Sequence, residues 1–123
     1  MLATALALLA AAAPVQDGDY RGERVTLTVR DRHVVRARVT VRRFACATFG
    51  DVGPLRIVAA PHAPIAHDGR VAFTVGPPSE RLALRARFAR GGTARGRLRV
   101  RGTIATGDPC RSPRVRFVLG WSS

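Results

Sequence analysis

Between Tyr20 and Trp121 the chain repeats with a period of two, and no stretch repeats with the 3.6-residue period of an amphipathic helix. Val25, Leu27 and Val29 alternate with Thr26, Thr28 and Arg30, and Val35, Ala37, Val39 and Val41 with Arg36, Arg38, Thr40 and Arg42. Leu82, Leu84, Ala86 and Phe88 alternate with Ala83, Arg85, Arg87 and Ala89, and Ala94, Gly96, Leu98 and Val100 with Arg95, Arg97, Arg99 and Arg101. Val115, Phe117, Leu119 and Trp121 close the chain against Arg114, Arg116 and Val118. Residues 55–59 and 70–75 are shorter candidates, and Gly/Pro/Asp clusters at 50–54, 76–78 and 107–109 separate the segments. Successive side chains of a strand point to opposite faces, so each segment has one apolar face and one wet face. The fold class this predicts is all-β: an antiparallel β-sandwich or small barrel of about six to eight short strands.

Turn chemistry sets the pairings. With Phe88 opposite Ala94 on the buried face, Arg90-Gly91-Gly92 becomes a three-residue loop with Gly ready for a left-handed position. That register sets Arg87 opposite Arg95 and Arg85 opposite Arg97, like charges that destabilise by roughly some tenths of a kcal/mol per pair. The first hairpin, with Val29 opposite Val35, gives Thr28–Arg36 and Thr26–Arg38 pairs instead.

A length of 123 residues fits one domain with one modest core and argues against a multidomain, Rossmann or TIM-type enzyme. Residues 2–13 are an uncharged run of Leu, Ala and Thr ahead of Pro14. They are too few to span the roughly 30 Å of a bilayer core, and they match the apolar region and small-residue end of a secretory signal peptide. The organisation expected is a signal peptide over 1–13, a short linker over 14–19 and a single β domain over 20–121. The mature chain would then be secreted or held in the cell envelope, with no transmembrane segment. Cys46 and Cys110 are an even pair without C-x-x-C or Cys/His ligand spacing, so a disulfide is expected in an oxidising compartment.

The charge count is 21 basic against 8 acidic residues, and every basic residue is Arg. One reading is compositional: a coding bias toward Arg fills solvated positions that another chain would give to Lys, Thr or Ser. The other is attraction to an anionic partner. If the excess is functional, it concentrates in Arg85, Arg87, Arg95, Arg97, Arg99 and Arg101, the candidate anion-binding residues.

Catalytic constellations are sparse. His62, His67 and Asp68 share the Pro-broken loop 61–68 and are the only candidates for a metal, but no Cys, Glu or third His stands nearby and a structural zinc takes four ligands. No G-x-S-x-G turn raises a nucleophile, and nothing fixes two carboxylates at a glycosidase separation. No cofactor is expected, and the chain reads as a non-enzyme. Phe88, Phe117 and Trp121 share the apolar parity and read as core, as does Phe73, while Tyr20, Phe44 and Phe49 stay unplaced. Without an exposed aromatic platform, nucleic acid could be held only through phosphates, without sequence preference.

Tyr20-Arg21-Gly22, Cys46, Gly69-Arg70-Val71-Ala72-Phe73, the 91–98 hairpin, Cys110 and Val115-Arg116-Phe117 together form a pattern. It resembles a loose class of small secreted two-cysteine β-proteins of GC-rich Gram-positive bacteria. Pro109 before the second Cys and the extension Trp121-Ser122-Ser123 depart from that class. The resemblance implies the β fold and the disulfide, and carries no catalytic residues. The leading functional expectation is an exported, non-catalytic binding module for an anionic wall polymer, anionic lipid or non-specific nucleic acid. The alternatives are a secreted hydrolase using His62, His67 and Asp68, and a rigid inhibitor presenting loop 60–64 to another protein.

Overall fold

The computed structural model describes residues 15–122, so the signal-peptide reading of 1–13 lies outside the described residues. Among the described residues there are twelve strands and no helix. They are β1 (Gly18–Arg21), β2 (Val25–Arg30), β3 (His33–Val41), β4 (Ala45–Cys46), β5 (Gly50–Asp51) and β6 (Leu55–Ala59). The rest are β7 (Ala63–Pro64), β8 (Arg70–Val75), β9 (Arg81–Ala89), β10 (Thr93–Thr103), β11 (Pro109–Arg111) and β12 (Val115–Ser122). The segments with clear alternation are β2, β3, β6, β8, β9, β10 and β12. The others are four residues long or less, too short for a period of two to show.

All pairings are antiparallel, and the sheet runs β8-β9-β10-β12-β1-β2-β3-β6. Where β12 leaves β10, β11 takes its place and carries β4 and β5; β7 lies on the start of β3. The sheet curls into a half-barrel. Its curl is visible in one contact: Tyr20 of β1 meets Phe88 of β9 edge-on, with ring centroids 4.7 Å apart and planes at 84°. β12 and β10 separate those strands within the sheet, so the two rings touch across the concave interior. The Tyr20 hydroxyl accepts from the Gln16 N–H at 3.1 Å, which satisfies its polar end at the rim.

The concave side holds the core. Leu27, Val29, Val34, Ala37, Leu82, Leu84, Phe88, Ala94, Leu98, Val100 and Leu119 are all essentially inaccessible. Each fully buried Leu or Val contributes about 1.5–3 kcal/mol relative to exposure. Burial thus follows the alternation that the sequence displays, residue by residue, along β2, β9 and β10.

Three expectations are corrected. Val29 faces Val34, not Val35. Asp31 and Arg32 both take positive φ (49° and 57°), closing a two-residue turn that sets Arg30 opposite His33. Val35 is then an extra residue bulged out of β3, and the Thr28–Arg36 pairing resumes beyond it. Trp121 has the parity of a core residue but is 39 % exposed, and Phe117 is only partly buried. β12 runs past the end of the core there, and the indole N–H donates to the Asp17 carbonyl at 3.0 Å while its backbone N–H donates to Gly92. Finally, β1 begins at Gly18, two residues ahead of Tyr20, and pairs with both β2 and β12.

Cys46 and Cys110 form the expected disulfide, directly opposite each other across β4 and β11. Closing that 64-residue separation is worth about 4 kcal/mol on the chain-entropy account. Beside it, the Asp108 carboxylate accepts the N–H groups of Thr48 (2.8 Å) and Phe49 (3.2 Å). Burial pushes the Asp108 carboxyl up, but these N–H donors outweigh it and hold it below its ordinary value. The bond pins a hairpin tip on which Phe49 is 59 % exposed, whereas Phe44 is buried at its base.

Candidate anion-binding face

On the convex side of β8, β9, β10, β12 and β11 the wet positions are arginines, and register brings them face to face. The directly opposed pairs are Arg70–Arg87, Arg87–Arg95, Arg85–Arg97, Arg97–Arg116, Arg81–Arg101 and Arg101–Arg111. They form three cross-strand rows: Arg70–Arg87–Arg95, Arg85–Arg97–Arg116 and Arg81–Arg101–Arg111. Arg99, opposite Ala83, sits between the second and third rows. All the row members are exposed, and Arg99 is half-buried. The predicted Arg87–Arg95 and Arg85–Arg97 pairs are therefore present. The sequence reading missed Arg70, Arg111 and Arg116, because their membership depends on strand order and not on spacing along the chain, and Arg81, which the same hairpin register sets opposite Arg101.

Counter-charge on this face is scarce. Among the described residues the ion pairs are Arg21–Asp19 (3.1 Å), Arg42–Glu23 (3.9 Å) and Arg70–Asp68 (3.3 Å). Only the last touches the rows, at their corner. Arg87 donates there to the Asp68 carbonyl at 3.3 Å. A shallow groove of about 690 Å³ runs between Arg70, Arg85, Arg87, Arg95, Arg97 and Arg116, over a floor that includes Ala72, Ala86 and Gly96. Gly96 has the inward parity of Ala94 and Leu98, and a side chain on it would meet the Arg85 carbonyl oxygen and Phe117 Cζ.

The opposite wall, β1-β2-β3-β6, shows the contrast. Its arginines face no other arginine: the pairs are Arg21–Thr26, Arg30–His33, Arg36–Thr28, Arg38–Thr26, Arg38–Val58 and Arg56–Thr40. Asp19 lies within it; the Thr28 hydroxyl donates to it at 2.7 Å, and with Arg21 holds its carboxyl below its ordinary value. This wall is charged, but its arginines are not set against one another.

The His/Asp loop is dispersed. His62 and His67 lie on either side of β7, both exposed, and Asp68 is committed to Arg70 and to the Arg70 N–H at 3.1 Å. Among the described residues no three His, Cys, Asp or Glu side chains gather as a metal site. Loop 60–64 is anchored on β3 through β7, with Ala63 buried, so His62 and Pro64 are what it projects. No helix among the described residues is long and apolar enough to cross a membrane. No family model matches the chain, and no curated protein or solved structure matches it either.

Proposed function

We propose that this chain is an exported, non-catalytic binding module that holds an anionic polymer or surface on the convex arginine face. One observation carries the reading: six directly opposed Arg–Arg pairs converge on one wall, with a single carboxylate at its corner. Like charges opposed across strands destabilise the sheet, and an anion with several acceptor oxygens reverses that sign, because each guanidinium offers a planar fork of donors. The disulfide fits export to an oxidising compartment.

The test is retention on heparin resin across a salt gradient. Replacing Arg85, Arg87, Arg95 and Arg97 by Ser should lower the eluting salt well beyond the effect of replacing Arg36, Arg38, Arg42 and Arg56, which removes the same charge. Equal shifts would mean that only net charge is read, and the proposal would fail.

A further inference from the structure

Resting on that reading, we infer that the ligand is a single linear phosphodiester chain laid along β10 and recognised through its phosphates alone. Among the described residues β10 is the one strand with arginine at four consecutive outward positions, Arg95, Arg97, Arg99 and Arg101. Alternate residues of a strand lie about 6.8 Å apart, so these four form a track about 20 Å long. Neighbouring strands, about 4.8 Å to each side, place Arg87 at the first level, Arg85 and Arg116 at the second, and Arg81 and Arg111 at the fourth.

The repeat of the track is that of the ligand class. Two residues of extended peptide span six backbone bonds, and their reach of about 6.6–7 Å is that of any stretched six-bond repeat. Phosphates joined through a nucleic-acid sugar, or through the outer oxygens of a three-carbon polyol, are likewise six bonds apart. Each phosphate of a stretched chain can therefore meet one level of arginines, whose forks suit its paired oxygens. Outward positions around the track include Ala72, Thr74, Ala83, Thr93 and Val118, while Phe88 points into the core. Bases therefore have no ring to stack on within the rows; the exposed rings, Phe49 and Trp121, belong to none of the three. The track is also only about 10 Å wide, three strands, on the convex side of a curled sheet, which suits one thread better than a flat surface.

The measurement is fluorescence anisotropy with three probes of equal phosphate number: oligo-dT, an abasic phosphodiester oligomer, and a DNA duplex. Vesicles containing phosphatidylglycerol form a fourth arm. The two single chains should bind within about twofold of each other. Four phosphates should give a log K against log salt slope near −3, about 0.7 per phosphate. R99S should weaken binding by about two- to fivefold, the range of an exposed ion pair. Arg99 belongs to no opposed pair, so only a continuous track needs it. R36S/R38S should change nothing, and melting curves establish that each variant is folded.

Tenfold tighter binding of dT than of the abasic chain would overturn the inference by showing that bases are read. So would a slope steeper than about −6, tighter binding of duplex or vesicles, or an inert R99S. In those cases R85S/R97S would still weaken binding, and the broader reading would stand. If R36S/R38S weakens binding as much as R85S/R97S, or if no probe binds, both readings fall together.

Discussion

Replacing Arg97 by Thr should stabilise the fold, and the gain should fade with salt. Arg97 is flanked by Arg85 on β9 and Arg116 on β12, so one substitution removes two opposed pairs. At about 5–7 Å in water each repulsion amounts to roughly 0.6–0.8 kcal/mol before screening. A Debye length of about 30 Å at 10 mM salt leaves most of it, whereas about 3 Å at 1 M leaves a fifth or less. Two pairs therefore give about 1 kcal/mol at low salt and at most about 0.3 kcal/mol at 1 M. For a domain of this size 1 kcal/mol moves Tm by about 4 °C. The assay is thermal unfolding of R97T and R38T beside the parent at both salt concentrations. Arg38 faces Thr26 and Val58 and lies near Asp19, so R38T shares any change in strand propensity without relieving a like pair. If R97T is no more stable than R38T at 10 mM salt, or if its gain survives 1 M, the arginines are splayed apart and the rows carry no repulsion.

Other outcomes can be checked with the same material. At matched ionic strength, sulfate and short polyphosphates should raise Tm more than chloride; at a hundredfold excess over Kd, ligand binding alone contributes about 2.7 kcal/mol. Equal shifts for all three anions would mean screening without an anion site. Asp108 and Asp19 are held below the ordinary carboxyl value of 3.8, so their contribution is complete above it and is lost as pH falls through the lower folded value. D108N should lower Tm at pH 7 and show a smaller further loss between pH 4 and 2 than the parent, with faster amide exchange at Thr48 and Phe49; an unchanged acid limb would refute the assignment. C46A/C110A should cost about 4 kcal/mol in denaturant titrations, and a loss below about 1 kcal/mol would mean that the hairpin is held chiefly by Asp108.

The sequence made much of this fold legible because strand periodicity is local. Burial along β9 and β10 follows the alternation without exception from Leu82 to Leu98, and two Gly residues set the Arg85–Arg97 register. What stayed hidden depended on distant partners. Val35 looks like the core residue opposite Val29 until the Asp31-Arg32 turn, with two non-glycine positive φ angles, is known. Trp121 has core parity but lies where the concave side opens, a property of barrel length and not of β12. The face itself was partly visible: one hairpin register pairs six of its arginines (Arg81–Arg101 went unread), whereas Arg70, Arg111 and Arg116 join only because β8, β11 and β12 are neighbours of β9 and β10.

That strand order bears on the origin of the arginines. A compositional bias explains their number, but it is indifferent to which positions they occupy. On β1-β2-β3-β6 the outward arginines meet Thr, Val, His33 or Asp19 and never another Arg, an arrangement that costs the sheet little. On β8-β9-β10-β12 and β11 the same residue type is set against itself six times, directly opposed, which destabilises the sheet. Proteins commonly accept such local losses where binding requires them. If binding is the reason here, stability and affinity trade off at the same residues: R97T must gain Tm at low salt and lose polyanion affinity together, while R38T gains neither stability nor any change in affinity. A bias without function has no means of producing that opposition, since it would leave Tm and affinity to vary independently from one arginine to the next.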